Sequence, residues 1–464
     1  MKLLPLALTA STLLAAGSVL AEPLTMEEVA ELREEALKSD LAYELTEDIT
    51  TELGPRMAGT EAEARAREWA VKRLGEMGFS NVRVEPFEVP LWERGDEEGE
   101  VLSPFPQKLV LTALGNSGAT PDEGLTGEIV YYPTFTAFEQ ADASEVKGKI
   151  VFISHEMMPT QDGSGYSGCG APRFQGPALA SERGAAAIVI KSIGTDHGRG
   201  PHTGNISFGS NDPIPAAALS TSDARNLERM VKRADSVTIK LRLTPKKAGT
   251  MESGNVIAEI PGSDPDAGIV LIGGHLDSWD LGTGAIDDAS GCAITAAAAK
   301  LIMDEGQPRR TIRLVWFGAE EIGIFGGQAY SEKHRDDDHA VASESDFGAD
   351  RIWRFQTKLP GSAKAVEDRL AEALEPLGIL RGTGEAGGGP DMRPTVANGV
   401  SAIDLNQDGT RYFDYHHTPE DTLERVDPEQ LRQNLAAWTT MLAIVANAEE
   451  EIRYSHSDSS ETDD

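Results

Sequence analysis

Ile269-Val270-Leu271-Ile272-Gly273, running straight into Gly274-His275-Leu276-Asp277-Ser278, is the stretch from which the fold is read. An unbroken apolar run without polar alternation describes a strand covered on both faces, as in the middle of a parallel sheet. A second such run, Thr311–Phe317, follows the Ala-rich segment Ala289–Met303, which is long enough for a helix. Strand, helix, strand in this rhythm predicts an α/β domain with a mostly parallel sheet. Asn255–Ile260 reads as a further strand before it, and Gln430–Ala448 as a closing helix.

Outward from this core, residues 25–53 read as two helices and Thr60–Met77 as a third, with Asn81–Val89 as an alternating strand. Between 114 and 243 the texture changes to short β-rich runs separated by Gly-, Ser- and Pro-rich loops. The expected organisation is an α/β core domain of residues 22–113 and 250–450, interrupted by a β-rich insert of residues 114–249. Residues 451–464 read as an acidic disordered tail. At the other end Lys2, the apolar run Leu3–Leu14 and Val19-Leu20-Ala21 form a secretory signal over residues 1–21. A secreted or periplasmic location follows as an expectation. No later segment approaches the roughly 18 apolar residues of a membrane span.

The chain has 464 residues and a formal net charge of −34. That length favours two domains, and that charge excludes nucleic acid and anionic membrane as partners, since both require a basic face. The two cysteines, Cys169 and Cys292, do not make a disulfide framework. Cys292 falls within the apolar helix and reads as a small buried residue.

Chemistry-bearing residues recur where strands end, the edge at which open parallel sheets collect ligands. The first strand ends in His275-Leu276-Asp277, and Asp287-Asp288-Ala289-Ser290-Gly291 precedes the helix. Thr311–Phe317 leads to Glu320-Glu321, another apolar stretch leads to Glu344-Ser345-Asp346, and Val400–Leu405 precedes His416-His417-Thr418-Pro419. Each fragment alone has an ordinary structural explanation: an Asp pair caps helices, and a Glu pair solvates turns. Five of them at strand ends do not. Two imidazoles and three carboxylates form the donor set of a pair of zinc ions sharing a bridging carboxylate.

In this order the motifs resemble the co-catalytic di-zinc aminopeptidase family, and within it the carboxypeptidase Q branch. Gly273–Asp280, Glu344–Gly348 and Tyr412–His417 carry the likeness most strongly. The resemblance implies two zinc ions, one held by His275, Asp287 and Asp346 and the other by Asp287, Glu321 and His417. It implies Glu320 as general base, Asp277 as the carboxylate bonded to the other nitrogen of His275, and a cis peptide bond between Asp287 and Asp288. The insert corresponds to a protease-associated domain. Of the adjacent imidazoles the motif selects His417, leaving His416, with Gly389 and Asp391 of the Gly-rich loop, as candidate substrate contacts. Asp421 is expected to orient the His417 loop. His155, His197, His202, His334, His339 and His456 read as surface residues, although His202 and the stretch 168–170 are candidates for a substrate path.

The activity so implied is hydrolysis of dipeptides or short peptides with a free N-terminus, by a metalloexopeptidase that the resemblance also makes a homodimer. Aminopeptidase, dipeptidase and carboxypeptidase preferences stay open. The alternatives are a non-catalytic receptor on the same fold, or a single-zinc acyltransferase resembling glutaminyl cyclase. Metal content separates the three.

Overall fold

A computed structural model describes residue 21 and residues 23–454. The expected signal sequence, apart from Ala21, and the tail beyond 454 with His456 lie outside the described residues. Two eight-stranded sheets organise the chain. The first runs, in spatial order, Ser80–Glu93, Lys246–Ile260, Thr311–Phe317, Ile269–His275, His339–Glu344, Ala402–Gln407, Ile352–Lys358 and Leu380–Arg381. Its four middle strands, from Thr311–Phe317 to Ala402–Gln407, are parallel, as the apolar runs require. In register His275 lies opposite Phe317, and Gly273 opposite Glu344. The segments after these strands therefore emerge together at one edge.

Helices cover the sheet where the sequence places them. Ser290–Glu305 is buried along almost its whole length and packs on Pro428–Val445. Ala293 and the run 296–299 are fully buried, because small side chains let the two helices and the sheet approach closely. Thr25 and Glu28 form a capping box at Met26–Ala36, and Asp427 caps the closing helix with Pro428 in its first turn. The strand Ile352–Lys358 and the helix Lys364–Leu374 carry no signal strong enough to announce them. The first is held by antiparallel pairing with Ala402–Gln407, a partner distant in the chain.

The second sheet contains the insert, and that sheet starts earlier than residue 114. Glu97–Ser103 pairs with Thr238–Leu243, so Glu97–Ser103, Gln107–Leu109 and Leu111–Ala113 are strands of the second sheet. The reason is that Ser80–Glu93 and Lys246–Ile260 form one continuous antiparallel ribbon out of the first sheet, ending at Glu93 opposite Lys246. The tail also begins later than 451. Ile452 is fully buried and its carbonyl accepts from Ser401 Oγ, while Arg453 pairs with Glu451 and Asp338. Among the described residues no helix is long and apolar enough to cross a membrane.

Candidate metal centre

The common edge of the parallel strands carries the predicted residues. His275 ends its strand, Glu320 and Glu321 follow Phe317, and Asp346 lies just beyond Glu344. Asp287 stands on the turn before Ser290–Glu305, joined to Asp288 by a cis peptide bond as expected. His417 lies beyond the short helix Tyr412–Tyr415, and both it and Ala319, the residue before Glu320, have φ of 60°. Left-handed backbone at non-glycine residues costs energy and persists where the surroundings enforce it.

The side chains converge. Asp287 Oδ1 lies 3.0 Å from His275 Nε2, and Asp287 Oδ2 lies 3.3 Å from His417 Nε2. Asp346 Oδ1 is 3.6 Å from His275 Nε2, and Glu321 Oε2 is 2.9 Å from His417 Nε2. One carboxylate thus faces two imidazoles with its two oxygens, each imidazole meeting a further carboxylate. Asp287 Oδ2 and Glu321 Oε1 are buried and accept no hydrogen bond. Buried charged oxygens without donors are costly, and a divalent cation supplies what they lack. The donor set therefore fits a metal pair.

Three groups of donors lie within 4.8 Å of one another: His275, Asp287 and Glu321; His275, Asp288 and Asp346; and Asp287, His416 and His417. Asp288 is the weakest donor among them. Its Oδ2 accepts from His275 N at 3.0 Å and its Oδ1 from Gly291 N at 3.1 Å. His416 Nε2 is 3.5 Å from Asp287 Oδ2 and its ring stacks on His417, so it borders the centre.

Burial disfavours charge on His275, but Asp346, Asp277 and Asp287 overcome it and hold the imidazole well above its usual value. Burial raises Glu320, and Asp346, Glu321 and Asp277 push further in the same direction, against His275. A carboxyl raised in this way holds a proton more readily than a solvated one.

Asp277 differs from its expected role. Its carboxylate is 3.7 Å from His275 Nδ1, too far to hydrogen-bond, and its own main-chain carbonyl accepts from that nitrogen at 2.9 Å. The carboxylate instead accepts from the main-chain N–H groups of Glu320 at 3.0 Å and Glu321 at 3.4 Å. Asp277 thereby ties the ends of two strands. Asp421 orients its loop as expected, accepting from Ala285 N and Ile286 N at 2.8 Å each.

Asp391, expected as a substrate contact, is held within the protein. The Gly-rich loop turns it inward, where Oδ1 accepts from Gly327 N at 2.8 Å and the side chain is buried. Gly389 borders a recess shared with Asp346 and packs so closely on Glu344 that a Cβ would stand 2.4 Å from it. His416 lines the main cleft.

The surface reading fails for four histidines. His202 is buried between Asp196 and the carbonyl of His416, and His334 between Glu85 and Asp337. His339 Nε2 lies 2.9 Å from Tyr330 Oη, and buried His155 has no hydrogen-bond partner among the described residues. His197 is exposed as expected.

What the sequence concealed is the share of the insert in this site. Thr203 N donates to the carbonyl of His417 at 3.0 Å, and its own carbonyl accepts from His417 Nδ1 at 3.3 Å. The cleft over the centre measures about 540 Å³ and is walled by Tyr166, Arg173, Phe174 and Asn205 of the insert. No motif marks these residues.

The model of "Peptidase family M28" matches residues 255–442. Carboxypeptidase Q of Bos taurus is 34% identical over 415 residues, covering 88% of this chain and 86% of that protein. The Homo sapiens protein of that name is 33% identical over 413 residues, with coverage of 88% and 86%. The crystal structure of a peptidase M28 precursor from Shewanella amazonensis SB2B superposes with a TM-score of 0.90 at 44% identity, covering 92% of this chain and 98% of that one. A zinc aminopeptidase from Bacillus subtilis shares the fold, with a TM-score of 0.65 at 22% identity and coverage of 89% and 98%.

Proposed function

The chain belongs to peptidase family M28 and is a metallopeptidase, and from that premise we propose that it is an exported di-zinc exopeptidase acting on dipeptides or short peptides with a free N-terminus. The observation that carries this reading is Asp287, whose two carboxylate oxygens face His275 at 3.0 Å and His417 at 3.3 Å. In this reading His275, Asp287 and Asp346 hold one ion, and Asp287, Glu321 and His417 the other. Bound there, the zinc pair would polarise the scissile carbonyl and lower the pKa of the attacking water.

The protein's own groups do the rest. Glu320 Oε takes the proton of that water and passes it to the leaving amine. Asp277 holds the main chain at Glu320 and Glu321, keeping the base and a ligand in fixed relation. The main-chain carbonyls of Asp277 and Thr203 each accept from the Nδ1–H of one imidazole, leaving Nε2 directed at the carboxylates. The insert supplies one wall of the cleft through Tyr166, Arg173, Phe174 and Asn205. Export rests on Lys2, Leu3–Leu14 and Val19-Leu20-Ala21. A homodimer belongs to the same reading, and sedimentation of the purified protein checks it.

The test is zinc content together with hydrolysis of free and N-acetylated dipeptides, with and without chelator. About two zinc ions per chain, cleavage of the free peptides and its loss on chelation are expected. Metal-free protein that still cleaves, or indifference to N-acetylation, would overturn the reading.

A further inference from the structure

Six arginines are buried among the described residues: Arg56, Arg67, Arg94, Arg173, Arg310 and Arg313. Arg67 pairs with Glu63, Arg94 with Asp280 and Arg313 with Glu259. Arg56 and Arg310 have no acid partner, but each gives its donors to four main-chain carbonyls. Arg173 has neither. Its Nη1 reaches only the Thr203 carbonyl, at 3.3 Å, its Nη2 reaches Tyr166 Oη, and its Nε has no partner. In a chain with 76 acidic and 42 basic residues, a buried guanidinium without a carboxylate is out of balance.

Its place supplies a reason. Arg173 is 5% exposed and lies on the wall of the cleft that also contains Asp287, Glu320, Glu321 and Asp346. Its position is enforced: the guanidinium lies over the rings of Phe174 and Tyr166, at 4.5 and 5.3 Å, and a Cβ on Gly204 would stand 2.1 Å from Nη1. Tyr166 in turn meets His416 edge-on at 5.2 Å, which puts this arginine beside the proposed metal loop. Arg393, exposed on the same wall, makes no ion pair among the described residues and adds a second positive charge. The cleft thus has acids on one side and unpaired guanidinium groups on another, and its 540 Å³ suits a small ligand.

We infer that Arg173 is a specificity-determining residue, contributed by the insert, that receives the free carboxylate of the departing residue of a short peptide. Arginine matches a carboxylate with parallel donors, and in a buried site such a pair discriminates strongly against an uncharged end. The inference deepens the peptidase reading and rests on it for the direction in which the peptide lies.

The experiment compares Ala-Leu, Ala-Leu-amide and Ala-Glu-amide as substrates of the zinc-loaded enzyme and of Arg173→Met. The wild type is expected to favour Ala-Leu over its amide by about 10–100-fold in kcat/KM, and Arg173→Met to bring that ratio close to one. A wild-type ratio near one, or a ratio unchanged in the variant, overturns the inference. Ala-Glu-amide cleaved as well as Ala-Leu overturns recognition of the chain end and moves the carboxylate to a side chain. Should Arg173→Met fail to fold, Arg173→Lys keeps the charge without the fork and must still lower the ratio severalfold. Calorimetric binding of leucine against leucinamide reads the same site without turnover. Leucine is expected to bind at least tenfold tighter to the wild type only. That result in an enzyme that cleaves nothing would sink the peptidase reading and leave the carboxylate site standing.

Discussion

His417 and Thr203 exchange two hydrogen bonds across 214 residues of chain: Thr203 N donates to the carbonyl of His417 at 3.0 Å, and His417 Nδ1 donates to the carbonyl of Thr203 at 3.3 Å. The neighbouring pair repeats the arrangement, with His202 Nδ1 2.7 Å from the carbonyl of His416 and His202 Nε2 2.9 Å from Asp196 Oδ2. The insert therefore grips the backbone of the loop that presents an imidazole to the proposed metal centre, as well as lining the cleft over it.

His202→Ala removes that grip while leaving every proposed ligand in place. Groups that orient ligands at one remove are typically worth about 10–100-fold in metal affinity or activity, and a loss in that range is expected here. Zinc affinity by chelator competition, with far-UV circular dichroism to establish folding, is the measurement. A folded variant within twofold of wild type would show the grip to be dispensable.

Glu320→Gln preserves shape and removes the proton acceptor. Zinc content should stay at the wild-type level while kcat falls by about 10²–10⁴-fold. Metal analysis alongside initial rates decides it, and near-normal turnover would assign the base elsewhere.

Asp287 and Asp346 predict different metal losses. Asp287 faces both imidazoles, so Asp287→Ala should abolish both sites, whereas Asp346→Ala should leave the Glu321–His417 site able to bind about one ion. Equal zinc content in the two variants would refute the bridging assignment.

His155 gives a pH dependence remote from the proposed ligands. Burial, followed by the charge of Lys191, lowers its pKa from 6.5 to about 4, with Glu156 opposing. The unfolded chain therefore binds the extra proton first. The stability due to the neutral ring is complete above about pH 6.5 and is lost as pH falls toward 4, at up to about 1.4 kcal/mol per pH unit. Between pH 7.5 and 5.0, urea unfolding should show the wild type losing about 1–2 kcal/mol more than His155→Met. Identical losses would remove His155 as the source.

Much of the core was legible because its signals are local. Ile269–His275 and Thr311–Phe317 are apolar without alternation, Thr25 and Thr60 cap their helices, and the motifs fall at strand ends. Asp277 was found but misassigned: choosing between its carboxylate at 3.7 Å and its carbonyl at 2.9 Å from His275 takes atomic positions, which residue spacing does not contain. The inward turn of Asp391 escaped detection for the same reason, since a glycine-rich loop accommodates either direction.

The order of residues along the chain was enough to specify the sheet, the helices that cover it and the donor types gathered at its edge, because periodicity and strand polarity act over a few residues. Folding alone decided which oxygen faces which imidazole, which strands join the second sheet, and that Thr203 and Arg173 stand beside the cleft. Those contacts join segments far apart in the chain, and they form only when the two sheets pack against each other.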